Sequence, residues 1–229
     1  MQQQPTHVLV ECPELIASVR VGVLNALAPL ENKNVCAVRF RETRNMRKED
    51  LAWCDIFICV RGSEDMSARI VREAKRLGRL LLYFLDDDLL HLPPDSLARA
   101  YFEYGNHQQA LRDILAMSDG LWGVNTLIRD AYLPLCGEKR WISSRVPIQL
   151  TKQSSGQEDS VVRVLYAGSV DHQKTVQEVL TPAVRLVLER YGDGIEFTFV
   201  GPNPGLDDHP EVLHRPFFEN YDHYHKFVH

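Results

Sequence analysis

Three consecutive carboxylates, Asp86, Asp87 and Asp88, close the apolar run Leu80–Leu85 in the stretch LLLYFLDDDLLHLPP. Adjacent carboxylates repel one another unless solvent, a cation or hydroxyl donors satisfy them. Such a turn could accept hydrogen bonds from ligand hydroxyls. It could also remove a proton, because a neighbouring carboxylate raises a carboxyl pKa toward a useful range. The plainer alternative is a solvated, helix-capping turn. A second group is Gly168-Ser169 with His172 and Lys174 close behind. A glycine turn between a strand and a helix presents backbone N–H groups and the positive end of the helix dipole, where a pyrophosphate could sit, and Lys174 adds positive charge. Many such turns need a glycine for steric reasons alone. His172 could reach a phosphate or sugar hydroxyl, or only cap the helix. Arg61 and Asn125-Thr126 also fall at the ends of predicted strands, as substrate contacts or as ordinary turn and cap residues.

The segment Arg39–Lys48 (RFRETRNMRK) carries five cations against one acid. It could meet an anionic acceptor or lipid headgroups, making a peripheral membrane contact, or be a solvated loop. His209, His214, His223 and His225, with Asp207, Asp208 and Asp222, lack a recognised ligand spacing, so no metal is expected.

These residues need a scaffold, and hydropathy patterning supplies one. Apolar runs at His7–Glu11, Val35–Phe40, Ile56–Val60, Leu80–Leu85 and Gly120–Val124 read as strands, Leu80–Leu85 as a central one buried on both faces. Helical periodicity separates them over Glu14–Leu30, Glu64–Leu77 (Ser63 as N-cap), His107–Met117 and Asn125–Leu135. Alternating strands and helices with short turns predict a doubly wound parallel α/β sheet, whose ligands bind beyond the carboxyl ends of the strands. Residues 1–150 form this first Rossmann-like domain and the polar stretch 151–160 (TKQSSGQEDS) a linker. Residues 161–229 open a second domain: a strand over Val161–Ala167, a helix over Lys174–Tyr191 kinked or broken at Pro182, and a strand over Ile195–Val200. A short strand near Val212 and a helical turn over Asn220–Val228 follow. The second domain is expected to be truncated.

The 229 residues are 45% hydrophobic and 25% charged, the composition of a soluble globular protein. A net charge of −5 argues against nucleic acid as the main partner. Five widely spaced cysteines without C-x-x-C predict free thiols in a cytoplasmic protein. No stretch is long enough to span a bilayer.

Two stretches together resemble GT-B-type glycosyltransferases of the group 1, family 4-like kind. Tyr83-Phe-Leu-Asp86-Asp87-Asp88-Leu-Leu-His-Leu-Pro93 is similar to the strand-plus-DDD element of their N-terminal, acceptor-side domain. Val164-Leu-Tyr166-Ala-Gly168-Ser169-Val-Asp-His172, continuing through Pro182 to Gly201, looks like the opening of their donor-side domain. The resemblance implies a nucleotide-sugar donor, a saccharide or lipid-linked acceptor, a role in polysaccharide biosynthesis and no obligatory cofactor. It implies that Gly168, Ser169, His172, Lys174 and Gly201 bind the donor. Asp86, Asp87 and Asp88 would then work on the acceptor side of a cleft. Thr175 departs from the acidic residue often found three positions after the histidine. Glu211 and Glu219 have the spacing of the family's donor-clasping glutamates but not their small-residue context, so they are expected to be a chance match. Two alternatives compete: a non-catalytic module that binds acceptor or a partner, and a haloacid-dehalogenase-type phosphatase using Asp86 and Asp88. The phosphatase element should open its fold, whereas three predicted strands precede it here.

Overall fold

The computed structural model describes residues 4–94, 96–103, 105–143, 161–218 and 221–228. The chain divides into two compact units, Met1–Ile148 and Gln149–His229. The predicted linker 151–160 and Glu219 lie outside the described residues.

The first unit is built on β1 (Thr6–Cys12), β2 (Cys36–Glu42), β3 (Ile56–Val60), β4 (Leu80–Leu85), β5 (Gly120–Gly123) and β6 (Trp141–Ser143). They form one sheet in the order β2-β1-β3-β4-β5-β6, each pairing parallel. The direction of winding reverses between β1 and β3, which makes the mouth between those two strands the topological switch point. A helix starting with π-type spacing over Ser18–Leu24 and continuing as α1 (Asn25–Asn32) follows β1. It begins later than its periodicity predicts. Then come α2 (Lys48–Trp53), α3 (Asp65–Arg76), α4 (Leu97–Glu103), α5 (His107–Met117) and α6 (Thr126–Tyr132). Helix α3 takes Glu64 rather than Ser63 as its N-cap residue.

Each central strand is apolar at successive positions because both faces are covered. Val8, Val10, Ile58, Val60 and Phe84 pack with Val19, Val23 and Leu27. Leu9, Phe57, Leu81, Tyr83 and Leu85 pack on the other face with Val71, Leu111, Ile114 and Leu115. Each such fully buried side chain contributes roughly 1.5–3 kcal/mol relative to leaving it exposed. That packing makes the carboxyl edge of the sheet a fixed platform.

In the second unit, β7 (Val162–Ala167), β8 (Ile195–Val200) and β9 (Val212–Arg215) make a parallel sheet in chain order. A helical run joins the first two: a 3-10 turn over Val170–His172, α7 (Gln173–Thr175), a π-type stretch over Val176–Leu180, then α8 (Thr181–Tyr191). The register changes just ahead of Pro182, which has no N–H for the preceding turn. Val176, Val184 and Leu188 pack on Phe197 and Phe199. Helix α9 (Tyr221–Val228) ends the described chain.

Candidate functional site

The carboxyl edge of the first sheet gathers charge. Arg61, the residue after β3, is held at φ 53°, a left-handed conformation that L side chains seldom adopt. Its N–H donates to the Phe84 carbonyl at 3.0 Å, so the turn is tied to β4. Its guanidinium donates to Ser18 Oγ at 3.2 Å and lies 3.0 Å from Asp87 Oδ2 and 3.7 Å from Asp86 Oδ1. At 3.7 Å Asp86 Oδ1 is ion-paired but not hydrogen-bonded, and it is buried without any hydrogen-bond donor. The helix after β1, the turn after β3 and the turn after β4 thus converge through one arginine, beside the switch point.

Asp88 turns another way. Its Oδ1 accepts from the Tyr132 hydroxyl at 2.6 Å and lies 2.9 Å from His91 Nδ1. Burial alone would raise its pKa, but the bonds from Tyr132 and His91 outweigh that and hold the carboxyl below the usual carboxylate range. Repulsion among the three aspartates therefore does not set Asp88's titration; its own donors do. Tyr132 is fully buried at the end of α6 and also accepts the Leu90 N–H at 2.7 Å. Among the described residues no group of three or more His, Cys, Asp or Glu side chains is arranged to hold a metal ion.

Glu11, at the end of β1, is a functional candidate that its sequence context hides. It is completely buried. Its Oε1 accepts from Thr43 Oγ1 and, at 2.8 Å, from Ser67 Oγ, while Oε2 has no hydrogen-bond partner. Burial raises its pKa, and the bonds from Thr43, Cys59 and Ser67 offset only part of that shift. Burial, only partly offset by the hydroxyl donors, thus favours the protonated carboxyl at the end of β1 relative to an exposed glutamate. HVLVE reads simply as a strand with an acidic end, so periodicity gave no sign of it.

Among the remaining first-unit candidates Asn125 has a structural role. Asn125 Oδ1 accepts the Ile128 N–H at 2.9 Å and caps α6, and Thr126 is exposed on its first turn. Two of the five Arg39–Lys48 cations are held by a buried acid, while Arg44, Arg47 and Lys48 are exposed. Nearly buried Asp50 binds Arg39 at 2.8 Å and Arg41 at 3.2 Å, and Arg44 lies 2.9 Å from Glu42. Arg39 also lies 4.1 Å over the Trp53 ring. The single acid visible within the run is joined by Asp50 from α2, which takes up Arg39 and Arg41. No helix among the described residues is long and apolar enough to cross a membrane. The five cysteines are free and buried.

In the second unit the turn after β7 combines side-chain caps with close backbone packing. Ser169 Oγ accepts the Asp171 N–H at 3.3 Å and caps the short 3-10 turn. His172 Nδ1 lies 3.0 Å from the Tyr166 hydroxyl. Gln173 clamps the neighbouring loop, accepting from Asn203 N–H at 2.9 Å and donating to the Asn203 carbonyl at 2.7 Å. Gly201 has φ 96°, and a Cβ there would collide with the Gly168 carbonyl oxygen. A Cβ on Gly168 would sit 2.8 Å from the Tyr166 hydroxyl and 2.9 Å from His172 Nδ1. Gly201 is thus demanded by backbone packing, whereas at Gly168 only the tips of the Tyr166 and His172 side chains stand in the way. Lys174 is exposed on α7. The structure brings Gly168, Ser169, His172 and Gly201 together around two adjacent loops. The phosphatase alternative loses its premise, since Asp86 follows the fourth strand in chain order and faces Arg61.

No protein-family model matches the sequence, and no curated protein does either. Solved structures do match the fold. Phytolacca americana UGT2, complexed with UDP-2fluoro-glucose and pterostilbene, is 10% identical, with a TM-score of 0.53 over 93% of this chain and 72% of that one. A putative UDP-N-acetylglucosamine 2-epimerase from Listeria monocytogenes is 11% identical, with a TM-score of 0.56 over 99% of this chain and 72% of that one. S. aureus MnaA with UDP is 9% identical, with a TM-score of 0.52 over 99% and 72%. The chain has the α/β fold of GT-B type, with a six-stranded and a three-stranded parallel sheet.

Proposed function

We propose that the protein acts in glycosyl transfer, moving a sugar from a nucleotide donor to a saccharide or lipid-linked acceptor. The observation that carries this is the acidic turn at the carboxyl edge of a switch-point sheet, in a fold shared with structures that hold UDP or a UDP-sugar. On the first unit, Asp87 and Asp88 accept hydrogen bonds from acceptor hydroxyls, while Arg61 and Ser18 fix the wall of the site. On the second unit, the turn Gly168–His172 lies along the donor diphosphate, and exposed Lys174 supplies positive charge. Gly201 keeps the adjacent loop close to that turn. Hydroxyl-rich ligands suit an edge that presents many acceptors and few free donors.

Thermal-shift titration with UDP-, GDP- and dTDP-sugars tests the reading. One nucleotide class should raise Tm in a saturable way, by mass action on the folded state. An unchanged Tm with all of them, alongside saturable stabilisation by an oligosaccharide, favours a module that binds acceptor without catalysis.

A further inference from the structure

The edge of a sheet presents bare N–H and C=O groups, a template for another strand unless charge, shortness or a covering element blunts it. Three of the four edges among the described residues are blunted. Strand β2 carries Arg39, Arg41 and Glu42, β6 is three residues long, and β9 is four residues long with His214 and Arg215. Strand β7 is the exception. Its six residues, VRVLYA, hold one charge, and it pairs with β8 on one side and with no described strand on the other. Val162, Val164 and Leu165 are 58%, 38% and 40% exposed. Apolar residues at successive positions mark a strand inside a parallel sheet, covered on both faces, yet here that sequence stands at the rim. Along the helical run that joins β7 to β8, Val179, Ala183 and Leu186 are exposed as well.

We infer that the protein forms a two-fold dimer by antiparallel pairing of β7 with β7 of a second copy, joining two three-stranded sheets into one of six strands. The strand is complementary to itself about an axis through Leu165, perpendicular to the sheet. Leu165 then opposes its own counterpart, Val164 opposes the partner's Tyr166, and Arg163 opposes the partner's Ala167. No like charges meet, because the one charged side chain of β7 faces a methyl group and keeps its 3.1 Å bond to Glu196 on β8. An axis through Arg163 would set two guanidinium groups opposite each other. A perpendicular axis also leaves each face of the sheet as it was, so α8 of both copies lies on one side of the joined sheet. Val162 and Val164 share that side with Tyr166, which packs on the Val176–Val184–Leu188 core, and the second copy takes them out of water.

Sedimentation equilibrium on the full chain tests the dimer. The weight-average mass should rise with concentration toward twice that of one chain, by mass action. Leu165→Lys sets two like charges directly opposite and should raise the dimer Kd by about tenfold or more. A mass that stays at one chain overturns the inference, and so does a dimer equally tight in Leu165→Lys. Where Leu165→Lys fails to fold, Leu165→Cys decides. Directly opposed residues of an antiparallel pair lie within reach of a disulfide. Oxidised glutathione should therefore link Leu165→Cys into a covalent dimer on a non-reducing gel, while the wild-type chain, whose five cysteines are buried, stays unlinked. A Leu165→Cys chain that remains unlinked overturns the pairing through this strand.

Discussion

The two turns proposed to meet substrate are made from different materials. At the edge of the first sheet, side chains do the positioning: Arg61 between Asp86 and Asp87, and Tyr132 and His91 on Asp88. At the turn after β7, positioning centres on backbone: Gly201 lies against the Gly168 carbonyl, and the Ser169 and Gln173 side chains bond to backbone N–H and C=O groups. The difference predicts how each fails. Substitution at the edge should remove a chemical function while keeping its shape, whereas the turn should fail first where an added atom meets backbone.

Gly201→Ala should therefore have the largest effect. It adds a Cβ at φ 96° that meets the Gly168 carbonyl, combining backbone strain and overlap worth about 2–4 kcal/mol. Chemical denaturation should show the second unit weakened and the first unchanged; equal weakening of both would break the comparison. Tyr132→Phe comes next. It removes a donor to Asp88 and leaves the buried Leu90 N–H without its acceptor, at a cost of roughly 1–3 kcal/mol, while the fold of the first unit persists by circular dichroism.

Glu11→Gln sharpens the comparison through pH. The folded pKa of Glu11 is raised, so the folded state binds its proton more tightly than the unfolded chain does. Its contribution to stability is complete below the ordinary carboxylate range and is lost as pH rises through the folded value. Glu11→Gln should flatten that decline; an unchanged pH dependence of Tm would contradict the buried-acid assignment. The smallest effect is at Arg61. Arg61→Gly and Arg61→Ala both remove the ion pairs, but glycine relieves φ 53°, so it should be the more stable of the two by about 1 kcal/mol.

Much of this fold is written locally. IFICV and LLLYFL are apolar at successive positions because helices cover both faces, and they read as strands without any structure. Shorter elements escape notice. Helix α2 is KEDLAW, whose start is fixed by Arg47 N–H donating to Asp50 at 3.3 Å, and β6 is only three residues long. Helix α4, Leu97–Glu103, follows a proline-rich turn that reads as loop. The acidic turn itself was legible, as an apolar run ending in carboxylates. Its working partners were not, because they come from afar. Tyr132 is 44 residues from Asp88, and Thr43 and Ser67 are 32 and 56 residues from Glu11. Periodicity reports which face a residue takes and says nothing about which distant side chain shares it. In the second unit, Gly168, Ser169 and His172 lie close in sequence, so their clustering was legible; their packing with Gly201 needed the fold.

The central claim is that the backbone-built turn takes the nucleotide and the side-chain-built edge takes the acceptor. Titrating the nitrogen-15-labelled full chain with the stabilising nucleotide, and following backbone amide shifts, tests it most directly. The account predicts saturable shifts at Gly168, Ser169, His172, Lys174 and Gly201, with Arg61 and Asp86–Asp88 unmoved. Shifts confined to Arg61 and the acidic turn would contradict it.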